Sequence, residues 1–249
     1  MIKTTNRILV IGDIHGGLKA LIQVLQKAAI QPNDILVFLG DYVDGWSELP
    51  AVLDFLIALS EQQNCIFIKG NHDELLLDWL ENRHENINKK VWFKHGGKAT
   101  VDAYSTISDD KKQQHIAFLK SLQNYYLDAE NRLFIHAGFT NMNGVLQEFF
   151  PKLFYWDRTL WELALCLDEN MDKNSPIYPK RLKIYSEIFI GHTPVSKTKI
   201  VSPLCKNSVW NLDTGAGFSG VLTIMDIVSK AFWQSDGLPE LYPNEIGRN

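Results

Sequence analysis

Five β-branched runs in this chain each stop at a carboxylate, an amide or an imidazole, and that recurrence limits the possible folds more than any other feature. The endings are Ile11-Gly12-Asp13, Leu39-Gly40-Asp41, Lys69-Gly70-Asn71, Ile135-His136 and Ile190-Gly191-His192. Four of them pass through glycine, which lets the backbone turn sharply and approach a neighbour closely. A single Gly-Asp is a common turn, and a lone histidine is more often structural than functional. Five such endings on separate strands are hard to assign to turn chemistry. Side chains at the carboxyl ends of strands in one sheet system meet at one edge, where open α/β folds place their sites.

The order of elements supports such a sheet. Over the first seventy residues, apolar runs at Arg7–Ile11, Asp34–Leu39 and Cys65–Lys69 alternate with helical patterns. This is the sequence sign of parallel βαβ units. Leu18, Leu21, Ile22 and Leu25 recur at helical spacing, and Pro50 opens a second helix whose face is Val52, Leu53, Leu56 and Ile57. A mostly helical stretch follows to about Asn124, broken at Gly96-Gly97. Strand character returns at Tyr125–Ala129 and Arg132–Ile135, which the turn-prone Glu130-Asn131 can join as a hairpin. Residues 139–186 are aromatic-rich and irregular apart from a helix over Asp157–Leu167, and they read as a cap. Glu187–Ile190, Val209–Leu212, Gly220–Ile227 and Ala231–Gln234 complete the strands. The expected architecture is a single α/β domain over residues 1–249, two packed mixed β-sheets flanked by helices. A helical insertion over about 74–124 and the cap over about 139–186 are added to it.

Composition excludes several classes. A 249-residue chain with 45% apolar and 22% charged residues can bury a sizeable core throughout. A formal charge of −4 lacks the basic footprint of a dedicated nucleic-acid binder. Cys65, Cys166 and Cys205 are odd in number and far apart, which argues for buried free thiols over a disulfide framework. Only a short polar lead precedes Ile8, and no run reaches membrane-spanning length, so a reducing cytoplasm is expected.

The strand-end residue types suit metals. Carboxylate, imidazole and amide oxygen without thiolate fit manganese, iron or zinc better than a closed structural zinc site. Asp13 and His15, two apart on a turn, can approach one ion together. A second ion then uses Asn71, His136 and His192, with Asp41 bridging the pair. Two ions ~3.5–4 Å apart can clamp a phosphoryl group and turn a bridging water into hydroxide.

The segments Gly12-Asp13-Ile14-His15-Gly16, Gly40-Asp41-Tyr42-Val43-Asp44-Gly45, Gly70-Asn71-His72-Asp73, His136-Ala137 and Gly191-His192-Thr193 form an ordered set. In order and spacing the set resembles the phosphoprotein phosphatase branch of the calcineurin-like metallophosphoesterases. The nearest likeness is to the bacteriophage lambda type of Ser/Thr protein phosphatase. Trp156-Asp157-Arg158 and Asn211-Leu212-Asp213-Thr214-Gly215-Ala216 resemble that type's later motifs, so the likeness spans most of the chain. The resemblance implies an αββα sandwich and two divalent cations, manganese first and iron or zinc as alternatives. Asp13, His15 and Asp41 match the first-metal ligands, and Asp41, Asn71, His136 and His192 match the second. His72 matches a general acid that protonates the leaving oxygen during in-line attack, with Asp44 orienting it. Arg158 and Asn71 match phosphate contacts. The implied substrate is a phosphorylated protein or a small phosphoester, with neither nucleic acid nor membrane as a stable partner.

Two departures bear on the substrate. Gly45 stands where the family has a phosphate-binding arginine, and Asp73 stands where protein phosphatases have glutamate. Asp73, His136-Ala137-Gly138 and the missing arginine favour an alternative, a symmetrical dinucleoside tetraphosphate hydrolase. A phosphodiesterase or nuclease is disfavoured by Pro194 at the position of a second histidine, and a scaffold without turnover by the complete ligand set. His84 and His115 read as solvated surface, His95 as a helix-end residue within reach of the site, Trp46 as buried under the cap, and Asp213 as part of a supporting turn.

Overall fold

The computed structural model describes residues 6–195 and 201–248. The strands are β1 (Ile8–Ile11), β2 (Ile35–Phe38), β3 (Asn64–Phe67), β4 (Tyr125–Leu127), β5 (Leu133–Ile135), β6 (Ile188–Ile190), β7 (Leu204–Lys206), β8 (Val209–Asn211), β9 (Thr223–Asp226) and β10 (Phe232–Gln234). The α-helices are α1 (Leu18–Lys27), α2 (Leu49–Ser60), α3 (Asn71–Leu80), α4 (Lys89–Trp92), α5 (Lys98–Tyr104), α6 (Asp109–Ser121), α7 (Leu153–Trp156), α8 (Thr159–Cys166) and α9 (Leu238–Leu241). The strands form two mixed five-stranded sheets, ordered β10-β9-β1-β2-β3 and β4-β5-β6-β8-β7. In the first sheet β1, β2 and β3 run parallel, and in the second β5, β6 and β8 do. All five strands that end on a candidate ligand belong to these parallel sets.

The strand sequences explain the layering, because successive side chains of a strand point to opposite faces. Val10, Val37, Phe134 and Phe189 pack with Leu212 and Met225 in the layer between the sheets. There the rings of Phe134 and Phe189 stack with centroids 5.0 Å apart. The alternate residues Leu9, Ile11, Leu36 and Phe38 face α1 and α2, where Leu21, Val24, Leu53 and Leu56 cover them. Leu133, Ile135, Ile188 and Ile190 face the segment 139–186, through Phe139, Phe154, Leu160 and Trp161. Strands covered on both faces read as continuous apolar runs, as these do. Each such side chain contributes roughly 1.5–3 kcal/mol on burial.

The helical stretch from α3 to α6 packs into the existing core and forms no separate one among the described residues. Leu76, Leu77, Tyr104, Ile116, Phe118 and Leu119 join the cluster that covers the first sheet. The Gly96-Gly97 break is a kink within a continuous helical path, with His95 and Gly96 outside helical geometry. The β4–β5 hairpin forms as expected, Tyr125 opposite Ile135.

One strand was not foreseen, and three expectations need correction. The edge strand β7 has no forecast in the sequence, since three half-buried residues carry little periodicity; it pairs with β8 across a turn in which Asn207 and Ser208 adopt positive φ. The cysteines are unpaired but none is buried, for Cys166 lies on the exposed end of α8 and Cys65 on the outermost strand β3. His115 is buried outright, its Nδ1 2.7 Å from the Tyr104 hydroxyl and its Nε2 2.9 Å from Asp54. The polar residues around it on α6 face water while His115 turns inward. Trp46 is buried, but against Tyr242, whose ring stacks on it at 5.2 Å, and not under residues 139–186. Among the described residues no helix is long and apolar enough to cross a membrane.

Candidate active site

The parallel strands deliver Asp13, His15, Asp41, Asn71, His136 and His192 to one place, all six buried. Asp13, His15 and Asp41 offer ligand atoms within 4.8 Å of one another, and so do Asp41, His136 and His192. Asp41 is shared. Its Oδ2 lies 3.5 Å from His15 Nε2 and 3.4 Å from His136 Nε2. Asn71 Oδ1 lies 3.3 Å from His136 Nε2 and 2.9 Å from His192 Nδ1. Glycine permits this crowding: a Cβ at Gly191 would lie 2.0 Å from Asp13 Oδ1, and one at Gly70 2.1 Å from Asp41 Oδ1. His15, Asp41, Asp44 and His192 all take positive φ, at 50°, 54°, 64° and 68°. Such conformations cost roughly 1–3 kcal/mol each and cluster where function requires them.

Backbone carbonyls orient the imidazoles. His15 Nδ1 donates to Val43 O at 2.9 Å, and His136 Nδ1 donates to Leu39 O at 2.7 Å. Each therefore turns Nε2 toward the cluster, the arrangement in which a second hydrogen bond sets the tautomer of a metal-binding histidine. Asp73 steadies the Asp41 turn by accepting N–H groups from Asp41 (2.9 Å), Tyr42 (2.9 Å) and Gly70 (2.8 Å).

The electrostatics call for positive charge. Asp13, Asp41, Asp73 and Asp213 are all buried close together. Burial, reinforced by Asp213, pushes Asp13 well above the ordinary carboxylate range. Burial and the neighbouring Asp41 push Asp73 up to about 7, and burial drives Asp213 to about 6. Burial works against the charged forms of Asp41 and His136 as well. Their attraction outweighs it, lowering Asp41 well below its usual value and raising His136 to about 9. Burial holds His15 and His192 neutral, well below the usual imidazole value. Among the described residues His192 Nε2 is buried without a hydrogen-bond partner. Two overlapping triads with a shared carboxylate, imidazole nitrogens and no thiolate fit a pair of adjacent divalent cations, whose charge would take the place of the proton on His136. Asp213 stays outside both triads and accepts the Gly215 N–H at 3.0 Å.

Beside the triads stands the pair His72 and Asp44. His72 Nδ1 is 2.6 Å from Asp44 Oδ2, and the two rings of His72 and His15 meet edge to face at 5.1 Å. Asp44 is fully buried and held by two further donors, Trp92 Nε1 at 2.6 Å and the Thr100 hydroxyl. Neither donor is visible as a site residue in the sequence, since both come from the helical stretch some fifty residues downstream of Asp44. His72 opens on a cleft of about 340 Å³ that His95, Trp156, Arg158 and Arg248 also line. Arg158 is exposed and donates to Thr193 Oγ1 at 2.7 Å. Asp157 before it is buried and caps α8 through the Thr159 (3.1 Å) and Leu160 (3.0 Å) N–H groups. Sequence reasoning also passes over Arg248, which approaches His15 Nε2 to 2.8 Å.

Fold and site together define a metal-dependent phosphoester hydrolase. The chain belongs to the calcineurin-like phosphoesterase family, whose sequence profile matches residues 6–210. It is 26% identical over 237 residues to the bis(5'-nucleosyl)-tetraphosphatase PrpE [asymmetrical] of Halalkalibacterium halodurans, covering 87% of this chain and 88% of that one. Among solved structures, a candidate diadenosine tetraphosphatase superposes with a TM-score of 0.62 at 18% identity, over 94% of this chain and 95% of that one. A Saccharomyces cerevisiae protein serine/threonine phosphatase with similarity to human PP5 gives 0.61 at 15% identity, over 91% and 74%. At such identities the structures speak for the fold. The resemblance drawn from the motifs therefore holds at the level of the family, while its narrower likeness to the lambda type is not what the curated relative shows.

Proposed function

We propose that this protein hydrolyses dinucleoside tetraphosphates, splitting them asymmetrically. The observation that carries the reading is the near whole-length likeness to a tetraphosphatase of that specificity, on a chain whose candidate ligand set is complete. It favours the alternative raised by Asp73 and Gly45 over a Ser/Thr protein phosphatase, although the motifs had pointed to the symmetrical reaction. In this reading Asp13, His15 and Asp41 hold one divalent cation, and Asp41, Asn71, His136 and His192 hold the other. The cations supply Lewis-acid polarisation of the phosphoryl oxygens and acidify a water. His72, its Nδ1 proton held by Asp44, presents Nε2 to the leaving phosphate oxygen and gives it a proton. Arg158 on the cleft wall takes phosphoryl oxygens through its planar fork, and the half-exposed Trp156 offers an indole face to a base. The aromatic and cationic lining suits a nucleotide better than a phosphoserine, which has no ring to stack.

The test is product analysis. Manganese-reconstituted protein given diadenosine tetraphosphate should release ATP and AMP in equal amounts, one water being consumed per cleavage. ADP as the sole product would move the reaction to the symmetrical class. No cleavage, together with dephosphorylation of a phosphoserine peptide, would restore the protein phosphatase reading.

A further inference from the structure

The last described residues form a strap across the Asp44–Leu49 turn. Tyr242 stacks on Trp46 at 5.2 Å, Glu245 accepts from Ser47 N at 2.9 Å and Ser47 Oγ at 2.7 Å, and the Arg248 N–H donates to Gly217 O at 2.7 Å. These contacts aim the Arg248 side chain into the cleft. Its stem runs in a channel floored by two glycines: a Cβ at Gly45 would lie 3.4 Å from Arg248 Cγ, and one at Gly96 3.1 Å. Gly45 has φ +128° and its Cβ would also lie 3.0 Å from His15 O, so an arginine at position 45 itself would be strained.

The guanidinium ends in an unusual setting. Its Cζ sits 5.0 Å from the centre of the Phe218 ring, Nη1 is 2.8 Å from His15 Nε2, and Nε is buried with no hydrogen-bond partner among the described residues. Among the described residues no carboxylate pairs with it within 4.0 Å, whereas Arg7, Arg83 and Arg132 each have one. Asp213 is near enough to feel its charge but does not pair with it, and a guanidinium in a cleft is matched by a planar array of anionic oxygens. With a cation at His15 Nε2 the Nη1 contact is given up, and the donors of the fork are free for an anion in the same cleft.

We propose that Arg248 is a phosphate-binding residue of this cleft, delivered by the strap to the ground above Gly45, and that it grips substrate phosphate together with Arg158. The proposal rests on the phosphoester reading of the site. It does not require the phosphoester to be a dinucleotide.

The test uses full-length, manganese-loaded protein and inorganic phosphate as the probe. Arg248→Met keeps the aliphatic stem in its channel, and Arg248→Lys keeps the charge without the fork. Arg248→Met should weaken phosphate binding, read by calorimetry, and raise KM for diadenosine tetraphosphate, each by about 10- to 100-fold, the range for one lost charged hydrogen-bonding group. Arg248→Lys should recover part of the loss, and manganese content should match the wild type. Unchanged phosphate affinity in Arg248→Met overturns the proposal, above all if manganese then binds more tightly, because Arg248 would merely be filling the ion's place. Cleavage of the tetraphosphate with no Arg248 effect sinks the proposal and spares the substrate reading. A clear Arg248 effect on phosphate binding without tetraphosphate cleavage does the reverse.

Discussion

Replacing His72 by asparagine separates proton donation from everything else the site does. The asparagine amide nitrogen can take over the 2.6 Å hydrogen bond that His72 Nδ1 makes with the fully buried Asp44, but nothing replaces Nε2. The loss should therefore depend on how much the leaving oxygen needs a proton. General acid catalysis is worth about 10²–10⁴ in rate, or ~2.7–5.5 kcal/mol of barrier. Nearly all of that should be forfeited for an alkyl phosphate, whose leaving alkoxide is strongly basic. For p-nitrophenyl phosphate, whose leaving group is stable as an anion, the loss should shrink to roughly tenfold or less. A nucleoside polyphosphate should fall nearer the aryl ester. Steady-state kcat on the three substrates, alongside metal content by atomic absorption, makes the comparison. Equal losses for alkyl and aryl esters, or full activity throughout, would refute His72 as the acid.

Trp92→Phe and Thr100→Val each remove one donor from the Asp44 carboxylate. Each should lower kcat by about 3- to 30-fold with KM unchanged, since an unsatisfied buried charge disturbs the His72 partner and not the phosphate contacts. Arg158→Ala should raise KM for phosphate monoesters by roughly 3- to 10-fold, an exposed side chain being worth less than a buried one; an unchanged value would make Arg158 only a partner of Thr193. Burial lowers the His115 pKa beneath its ordinary 6.5, despite the opposing pull of Asp54. The unfolded chain then takes up a proton at a higher pH than the folded one. The stability from neutral His115 is complete above pH 6.5 and is lost as pH falls toward the lower folded value. Urea denaturation of wild type and His115→Gln between pH 5 and 8 should show the wild type losing stability more steeply on the acid side, and parallel curves would contradict this.

The clustering of the candidate ligands was legible because each follows its strand directly in sequence: once Ile11, Leu39, Ile135 and Ile190 are placed in parallel strands, Asp13, Asp41, His136 and His192 have little freedom of position. The alternation of Leu9, Val10 and Ile11 likewise announced a strand covered on both faces. What was illegible depends on contacts between distant segments. Trp92 and Thr100 reach Asp44 only because the helical stretch folds onto the first sheet, and Arg248 meets His15 across 233 positions of sequence. No local pattern records such meetings. His115 misled because its neighbours on α6 are charged, and three residues of β7 are too few to show a period. The motifs record the candidate ligands and their strands, not the cleft beside them, so they do not separate one substrate branch from another.

The shared carboxylate of Asp41 is the element on which both candidate ion positions depend. Electron paramagnetic resonance of the manganese-loaded protein, with ion content measured in parallel, reads that dependence directly. Wild-type protein should hold two manganese ions per chain with the signature of a spin-coupled pair, and Asp41→Asn should abolish the coupling and strongly weaken retention at both positions. A single uncoupled ion in the wild type, or a coupled pair that persists without the Asp41 carboxylate, would contradict a binuclear centre built on these strand ends.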